Sequence, residues 1–306
     1  MRATAEPTAE PTLSAPAEAT KAAEVVRLAS ALGAEVHGIA LAAPSKQDIA
    51  VVKALLQEHK VLFFPAQHLT IDEHVALGQH FGELESHPNL KNPFTDRTDI
   101  FELAASQGGI ADEWHTDLTF QSHPSKMSIL NMVRLPDIGG DTMWTNLAMA
   151  YDALSAPLRE LCDGLSALHD AAPHGRPDET AIHPVVRIHP ETGRRALYVN
   201  EHFTRRIVEL SHPESEALLG FLTKWVHQER FTVRYRWTVG TICMWDNRCT
   251  QHFVLNDFDT ERVIQRVTIS GDEPQGDAPR WEPFSPRRGA ASRYDRQLLR
   301  HLRARE

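Results

Sequence analysis

The stretch FTVRYRWTVGTICMWDNRCTQHFVLNDFDTERVIQRVTIS, residues 231–270, decides how the chain is read. In FTVRYRW the apolar side chains Phe231, Val233, Tyr235 and Trp237 alternate with Thr232, Arg234 and Arg236, the period of a strand with one buried face. TICMWD (241–246) and RVIQRVTIS (262–270) read as two further strands. Upstream, PVVRIH (184–189) and ALYVNEHF (196–203) flank a hairpin turn at PETGRR. DTMWTN (141–146) follows Gly139-Gly140, and KMSILNMVRL (126–135) and DIFEL (99–103) add two more strands. Antiparallel strands joined by turns argue for a mainly β fold with flanking helices, a double-stranded β-helix (jelly roll), with the helices packed outside rather than in βαβ crossovers.

Nearer the start, AEVHGIAL (34–41) reads as a short strand. Ser45 caps an amphipathic helix KQDIAVVKALLQEHK, VLFFP (61–65) is a buried strand ended by Pro65, and Thr70 caps a second helix to about Phe81. AMAYDAL and APLRELCDGLSAL suggest two helical segments, and a helix is expected from about Pro213 to His227. DAAPHGRPDETAI (170–182) has the composition of a loop. Residues 1–24 are Ala, Thr, Pro and Glu with almost no large apolar side chain, and are expected to be a disordered tail. Residues 25–274 then form one jelly-roll domain, and 275–306 a basic C-terminal extension ending in a helix, ASRYDRQLLRHLRAR, whose charge run reads as a solvated face.

The 306 residues carry 32 basic and 41 acidic groups, a net charge of −9, which disfavours generic binding to nucleic acid or anionic membranes. No apolar run approaches the ~18–20 residues of a membrane span, and the first 24 residues lack a signal-type apolar core. Three cysteines, Cys162, Cys243 and Cys249, make no disulfide framework or zinc knuckle, so a cytoplasmic location is expected. The unusual number is 17 histidines.

Among them, His115-Thr116-Asp117 would put an imidazole and a carboxylate on one face of a strand, the geometry of two metal ligands. The pair alone is a weak signal, since His189-Pro190-Glu191 and His212-Pro213-Glu214 have the same spacing. Two histidines and one carboxylate on one face of ferrous iron leave three positions open. His252, just past TICMWD, is the candidate for the third ligand. The histidines His59, His74 and His80 read as helix-surface residues, Trp114, Trp237 and Trp245 as core aromatics, and Cys243 and Cys249 as packing. Arg262 and Arg266 lie four apart in RVIQR, on one strand face about 13 Å apart. Two buried like charges would be costly alone, and that separation suits two anions.

At these residues the chain resembles the taurine dioxygenase family of Fe(II)- and 2-oxoglutarate-dependent dioxygenases. The resemblance runs from about Leu32 to Pro274 and rests on FGELESHP, EWHTDLTF, GGDTMWTN, HPVVRIHPETG, LYVNEHFTRRI, WDNRCTQH and ERVIQRVTISGD in the family's order. It implies that His115, Asp117 and His252 ligate Fe(II), that Thr142 and Arg262 hold the distal carboxylate of the cosubstrate 2-oxoglutarate, and that Arg266 is the catalytic-site arginine facing a substrate anion. His87 and Phe203 match substrate-pocket positions.

The implied reaction consumes O2, decarboxylates 2-oxoglutarate to succinate, and hydroxylates a substrate C–H bond. An aspartate ligand argues for hydroxylation over halogenation. The residue near Ala111 carries no amide and Leu90 stands where taurine-cleaving members have tyrosine, which argues against taurine. The segment between His169 and His183 is shorter than in those members, which predicts a more open site. The expected substrate is a small organic anion, an alkyl or aryl sulfonate, a sulfate ester or an aryloxyalkanoate, whose hydroxylated product breaks at C–S or C–O. A catalytically silent jelly roll that binds a metal or anion is the competing reading. Family members are commonly dimers or tetramers, so a homo-oligomer is compatible with the resemblance.

Overall fold

The structure, a computed structural model, describes residues 23–86, 97–107, 111–286 and 293–303. Residues 1–22 of the expected tail, and His87 and Leu90, lie outside the described residues. The chain opens with β1 (Glu24–Arg27), β2 (Ala34–His37), α1 (Lys46–His59), β3 (Val61–Phe64) and α2 (Ile71–Gln79). Next come β4 (Phe101–Ala104), β5 (Met127–Arg134), β6 (Thr142–Asn146), α3 (Leu147–Asp152), α4 (Ala156–Asp163), β7 (Ser166–Ala171) and β8 (Arg176–Pro184). The remainder is β9 (Val186–Ile188), β10 (Arg195–Leu197), β11 (Thr204–Ile207), α5 (His212–Val226), β12 (Thr232–Tyr235), β13 (Ile242–Asp246), β14 (Thr250–Val254), β15 (Val263–Ile269) and α6 (Arg293–Arg303).

A large sheet of order β1-β2-β3-β13-β5-β15-β4 faces a smaller one of order β12-β6-β14, the two layers of a jelly roll. Alternation along the strands decides what each layer covers. Phe63, Leu130, Cys243, Trp245 and Ile264 point inward onto Trp144 of β6 and Tyr235 and Trp237 of the opposite layer. Phe63 stacks on Tyr235 with centroids 3.7 Å apart and meets Trp144 edge-on at 5.2 Å. Their neighbours Leu62, Phe64, Ile129, Met244 and Val267 point outward, under Ile49, Val52 and Leu56 of α1 and Val75 and Leu77 of α2. A fully buried side chain such as Phe63 contributes about 1.5–3 kcal/mol. Both helices start at capping boxes, Ser45 with Asp48 and Thr70 with Glu73, as their sequences predict.

The structure departs from the sequence reading in several places. β2 and β3 are parallel and joined through α1, so one βαβ crossover does occur. Residues 170–182 are not a loop: they form most of a hairpin in which β7 pairs with β8, continued by β11 into a third sheet. The first four residues of β8 are exposed, and an exposed edge strand tolerates the polar residues that suggested a loop. His59 and His74 are not surface residues. Both are buried, and burial lowers His74 to about 4, its Nε2–H donating to the Ile129 carbonyl at 3.0 Å. The strands β1, β7, β8, β11 and β14 were not expected; the helix read through Leu168 ends at Asp163, and Ser166–Leu168 belong to β7. No helix among the described residues is long and apolar enough to cross a membrane.

Candidate active site

His252 is positioned by β14, where it pairs across from Trp144 of β6 and its ring lies 4.7 Å from that of Trp245. The segment that carries His115 runs beside β14. His115 and His252 exchange both backbone hydrogen bonds, 3.1 and 2.9 Å, and Thr116 Oγ1 donates to the Thr250 carbonyl. This one bridge is all the strand structure the His-Thr-Asp segment has. Asp117 begins a turn in which Leu118 takes a left-handed φ of 56°, so the carboxylate reaches the histidines from a turn rather than from a strand face.

The three side chains converge. Asp117 Oδ1 lies 3.7 Å from His115 Nε2 and 3.9 Å from His252 Nε2, and the two rings are 4.2 Å apart. All three are buried. His115 Nδ1–H donates to the Glu113 carbonyl at 2.8 Å, which fixes the tautomer and turns the Nε2 lone pair toward Asp117. Asp117 Oδ2 accepts from Ser128 Oγ at 2.8 Å and Asn247 Nδ2 at 3.2 Å, and Asn247 is itself held by Trp245 Nε1. Burial alone would raise the Asp117 carboxyl, but Arg266, His252, His115 and Ser128 together hold it well below the usual carboxylate range. Burial draws His115 down to about 4 and holds His252 well below its ordinary value. Neutral imidazoles beside an ionised carboxylate are the protonation states a divalent metal requires.

Arg266 Nη1 donates to Asp117 Oδ1 at 2.8 Å, and its guanidinium lies 4.5 Å over the Phe101 ring. Arg262 is elsewhere: its Nε donates to the Gly140 carbonyl and its Nη2 to Thr142 Oγ1 at 3.3 Å, a hydroxyl that also accepts from Trp237 Nε1. Burial lowers Arg262 to about 10 against the attraction of Asp141, so it stays a cation, and among the described residues no carboxylate pairs with it. A register shift at Val263/Ile264 separates the two arginines. Thr142 is two residues along β6 from the Trp144–His252 pair, about 7 Å along the strand.

Phe203 is buried in a small apolar cluster with Phe120, Ala171 and Leu118, its ring 6.4 Å from that of His115. The rival spacings are engaged elsewhere. His189 Nε2 bonds to Asp246, its Nδ1 accepts from the Glu191 and Thr192 backbone N–H groups, and Asp246 is doubly held by Arg248. That arrangement occupies both His189 nitrogens, so the nearby group His189, Asp246 and Cys249 is a hydrogen-bonded network. His212 starts α5 and faces Glu216. Spacing rules missed Ser128, Asn247, Trp237 and the Glu113 carbonyl, which act through contacts between distant segments, and His174 and His202 beside Phe203.

A jelly roll with two histidines and one carboxylate gathered on one face has the architecture of the non-heme iron, α-ketoglutarate-dependent dioxygenases. The chain belongs to the taurine catabolism dioxygenase TauD, TfdA family, whose model matches residues 24–268, and with that family it is such an enzyme. It is 38% identical over 277 residues to an alpha-ketoglutarate-dependent sulfate ester dioxygenase of Pseudomonas putida, covering 83% of this chain and 91% of the relative. An alkylsulfatase of Acinetobacter baylyi is 36% identical over 283 residues, 84% of this chain and 88% of the relative. A solved taurine dioxygenase from Burkholderia xenovorans superimposes with a TM-score of 0.78 at 38% identity, covering 87% of this chain and 96% of that one.

Proposed function

We propose that the chain hydroxylates the carbon bearing the oxygen of an alkyl sulfate ester, with His115, Asp117 and His252 holding Fe(II), Thr142 and Arg262 the distal carboxylate of 2-oxoglutarate, and Arg266 the sulfate group. The observation that carries the reading is the convergence of two imidazole Nε2 atoms on one oxygen of Asp117, at 3.7 and 3.9 Å, with a buried Arg262 that pairs with no carboxylate among the described residues and bonds Thr142, two residues along β6 from the His252 pair. Iron with its keto-acid cosubstrate and oxygen supplies the oxidising power for C–H hydroxylation. The chain's residues bind and orient. Ser128 and Asn247 hold Asp117 Oδ2 so that Oδ1 faces the two imidazoles. The Arg262 fork and Thr142 hydroxyl suit a carboxylate about 7 Å along β6 from the His252 pair, a reach that matches a five-carbon diacid. Arg266 gives Nη1 to Asp117, which leaves Nη2 for an anionic substrate.

The hydroxylated product carries hydroxyl and sulfate on one carbon. It collapses as the C–O bond to sulfate breaks, giving an aldehyde and hydrogen sulfate, while 2-oxoglutarate and O2 become succinate and carbon dioxide. Sulfate esters are favoured over sulfonates and aryloxyalkanoates because the relatives at 38% and 36% identity act on sulfate esters and alkyl sulfates by name. His87 and Phe203 are proposed as further substrate-pocket residues.

Two measurements test this. Ferrous iron and 2-oxoglutarate added without oxygen should give a weak visible charge-transfer band that Asp117→Ala abolishes; a band that persists in the variant rejects the ligand set. With oxygen, 1-butyl sulfate should release sulfate and succinate in equal amounts, and succinate release unaffected by the ester rejects the substrate class.

A further inference from the structure

The β7–β8 hairpin brings to the site an imidazole that no spacing singled out. Ala172–His174 form a single 3-10 turn closed by Gly175 at a φ of 72°, a conformation that suits glycine. The His174 ring lands edge-on to Phe203 (centroids 5.3 Å, 88°) and to Phe120 (5.6 Å, 82°). It lies 5.8 Å from His202, whose ring is 5.8 Å from that of His115. On the same hairpin the Arg176 guanidinium sits 5.3 Å over the Phe120 ring.

The hairpin is tied to the turn that carries Asp117. His183 Nε2–H is shared between the Thr119 and Gln121 carbonyls at 2.9 and 3.0 Å, and His169 Nδ1 lies 3.0 Å from Thr119 Oγ1, which also accepts from Asn200 Nδ2. The root of the hairpin is therefore fixed relative to the site, while its tip is exposed. Between tip and triad lies a small buried apolar cluster, Phe120, Phe203 and Ala171 with the half-buried Leu118, separate from the large cores. The exposed His174 ring covers the outer side of this cluster, against the buried Phe120 and Phe203.

Resting on the sulfate ester reading, we propose that His174 is a specificity-determining residue, the outer wall that limits the length of alkyl group the Phe120–Phe203 cluster accepts. The site is then not left open by the short segment between His169 and His183; a hairpin tip closes it at a set distance. Each methylene that fits or fails to fit an apolar pocket changes selectivity by about 10-fold or more.

The test compares 1-butyl and 1-octyl sulfate in the wild type, His174→Ala and His174→Trp, following sulfate release. His174→Ala should lower the KM for octyl relative to butyl sulfate by about 10-fold, His174→Trp should raise it, and the KM for 2-oxoglutarate should stay within about twofold in both. A butyl-to-octyl ratio unchanged in both variants, or a 2-oxoglutarate KM that moves as far as that of the esters, overturns the inference while the substrate class stands. If the wild type forms succinate from 2-oxoglutarate alone yet releases sulfate from neither ester, the substrate reading fails and this inference falls with it.

Discussion

At the scale of single residues, the site works by assigning each oxygen of Asp117 a different task. Oδ2 is held by Ser128 and Asn247, and Oδ1 faces the two Nε2 atoms and Arg266. Asn247→Ala would free one side of Oδ2 and let the carboxylate rotate. Mn(II) affinity, measured by titration of the purified protein, should fall by about 10–100-fold, and an unchanged affinity would show that Asn247 does not orient the ligand. The His-x-Asp spacing pointed to two residues that the fold does bring together, though not by the strand geometry it assumed. A strand was expected to align them, whereas a single bridge at His115 and a left-handed Leu118 do so. Nothing in the spacing separated this pair from His189-x-Glu191; the hydrogen bonds that occupy both His189 nitrogens are visible only in the fold.

At the scale of elements, β14 and the turn before β6 matter most. TQHFV is short and polar enough to escape a periodicity search, yet it sets His252 opposite Trp144. The loop into β6 ends in Gly139 and Gly140, both at positive φ, and the Gly140 carbonyl accepts from Arg262 Nε. A Cβ at Gly140 would lie 3.1 Å from Arg262 Cδ and 3.2 Å from Pro136 Cγ. Gly140→Ala would therefore strain the turn by about 1–2 kcal/mol and push the guanidinium off Thr142. The KM for 2-oxoglutarate should rise about tenfold with a smaller change for the alkyl sulfate; equal changes in both would place Arg262 in a different role. The long strands of the large sheet were legible because two-residue alternation between two apolar layers leaves a clear mark. The hairpin 166–184 was not, since the first half of its outer strand faces water and its inner strand, buried throughout, lacks the alternation that marks a strand.

At the scale of the whole molecule, the basic C-terminal extension ends in α6, which lies against the sheet that carries the hairpin. Leu298 packs on Leu168 and Val208, and Asp295 accepts a 2.7 Å bond from Arg206 Nη2, both partners being buried. The alternating charges of that segment read as a solvated helix, and sequence alone could not show that one carboxylate is spent on a buried arginine. Asp295→Ala would leave Arg206 as a buried charge with the Leu210 carbonyl as its remaining hydrogen-bond acceptor among the described residues. Stability should drop by about 3 kcal/mol, read from the urea midpoint at constant m, and an unmoved midpoint would mean the pair contributes nothing.

The central claim is that three side chains from a turn and a strand hold one metal while Arg262, not Arg266, takes the cosubstrate's far end. A crystal grown with Mn(II) and N-oxalylglycine and measured for anomalous scattering tests it directly. We expect one peak bonded to His115, Asp117 and His252, with the distal carboxylate on Arg262 and Thr142. A peak elsewhere, or that carboxylate seated on Arg266, would contradict the account.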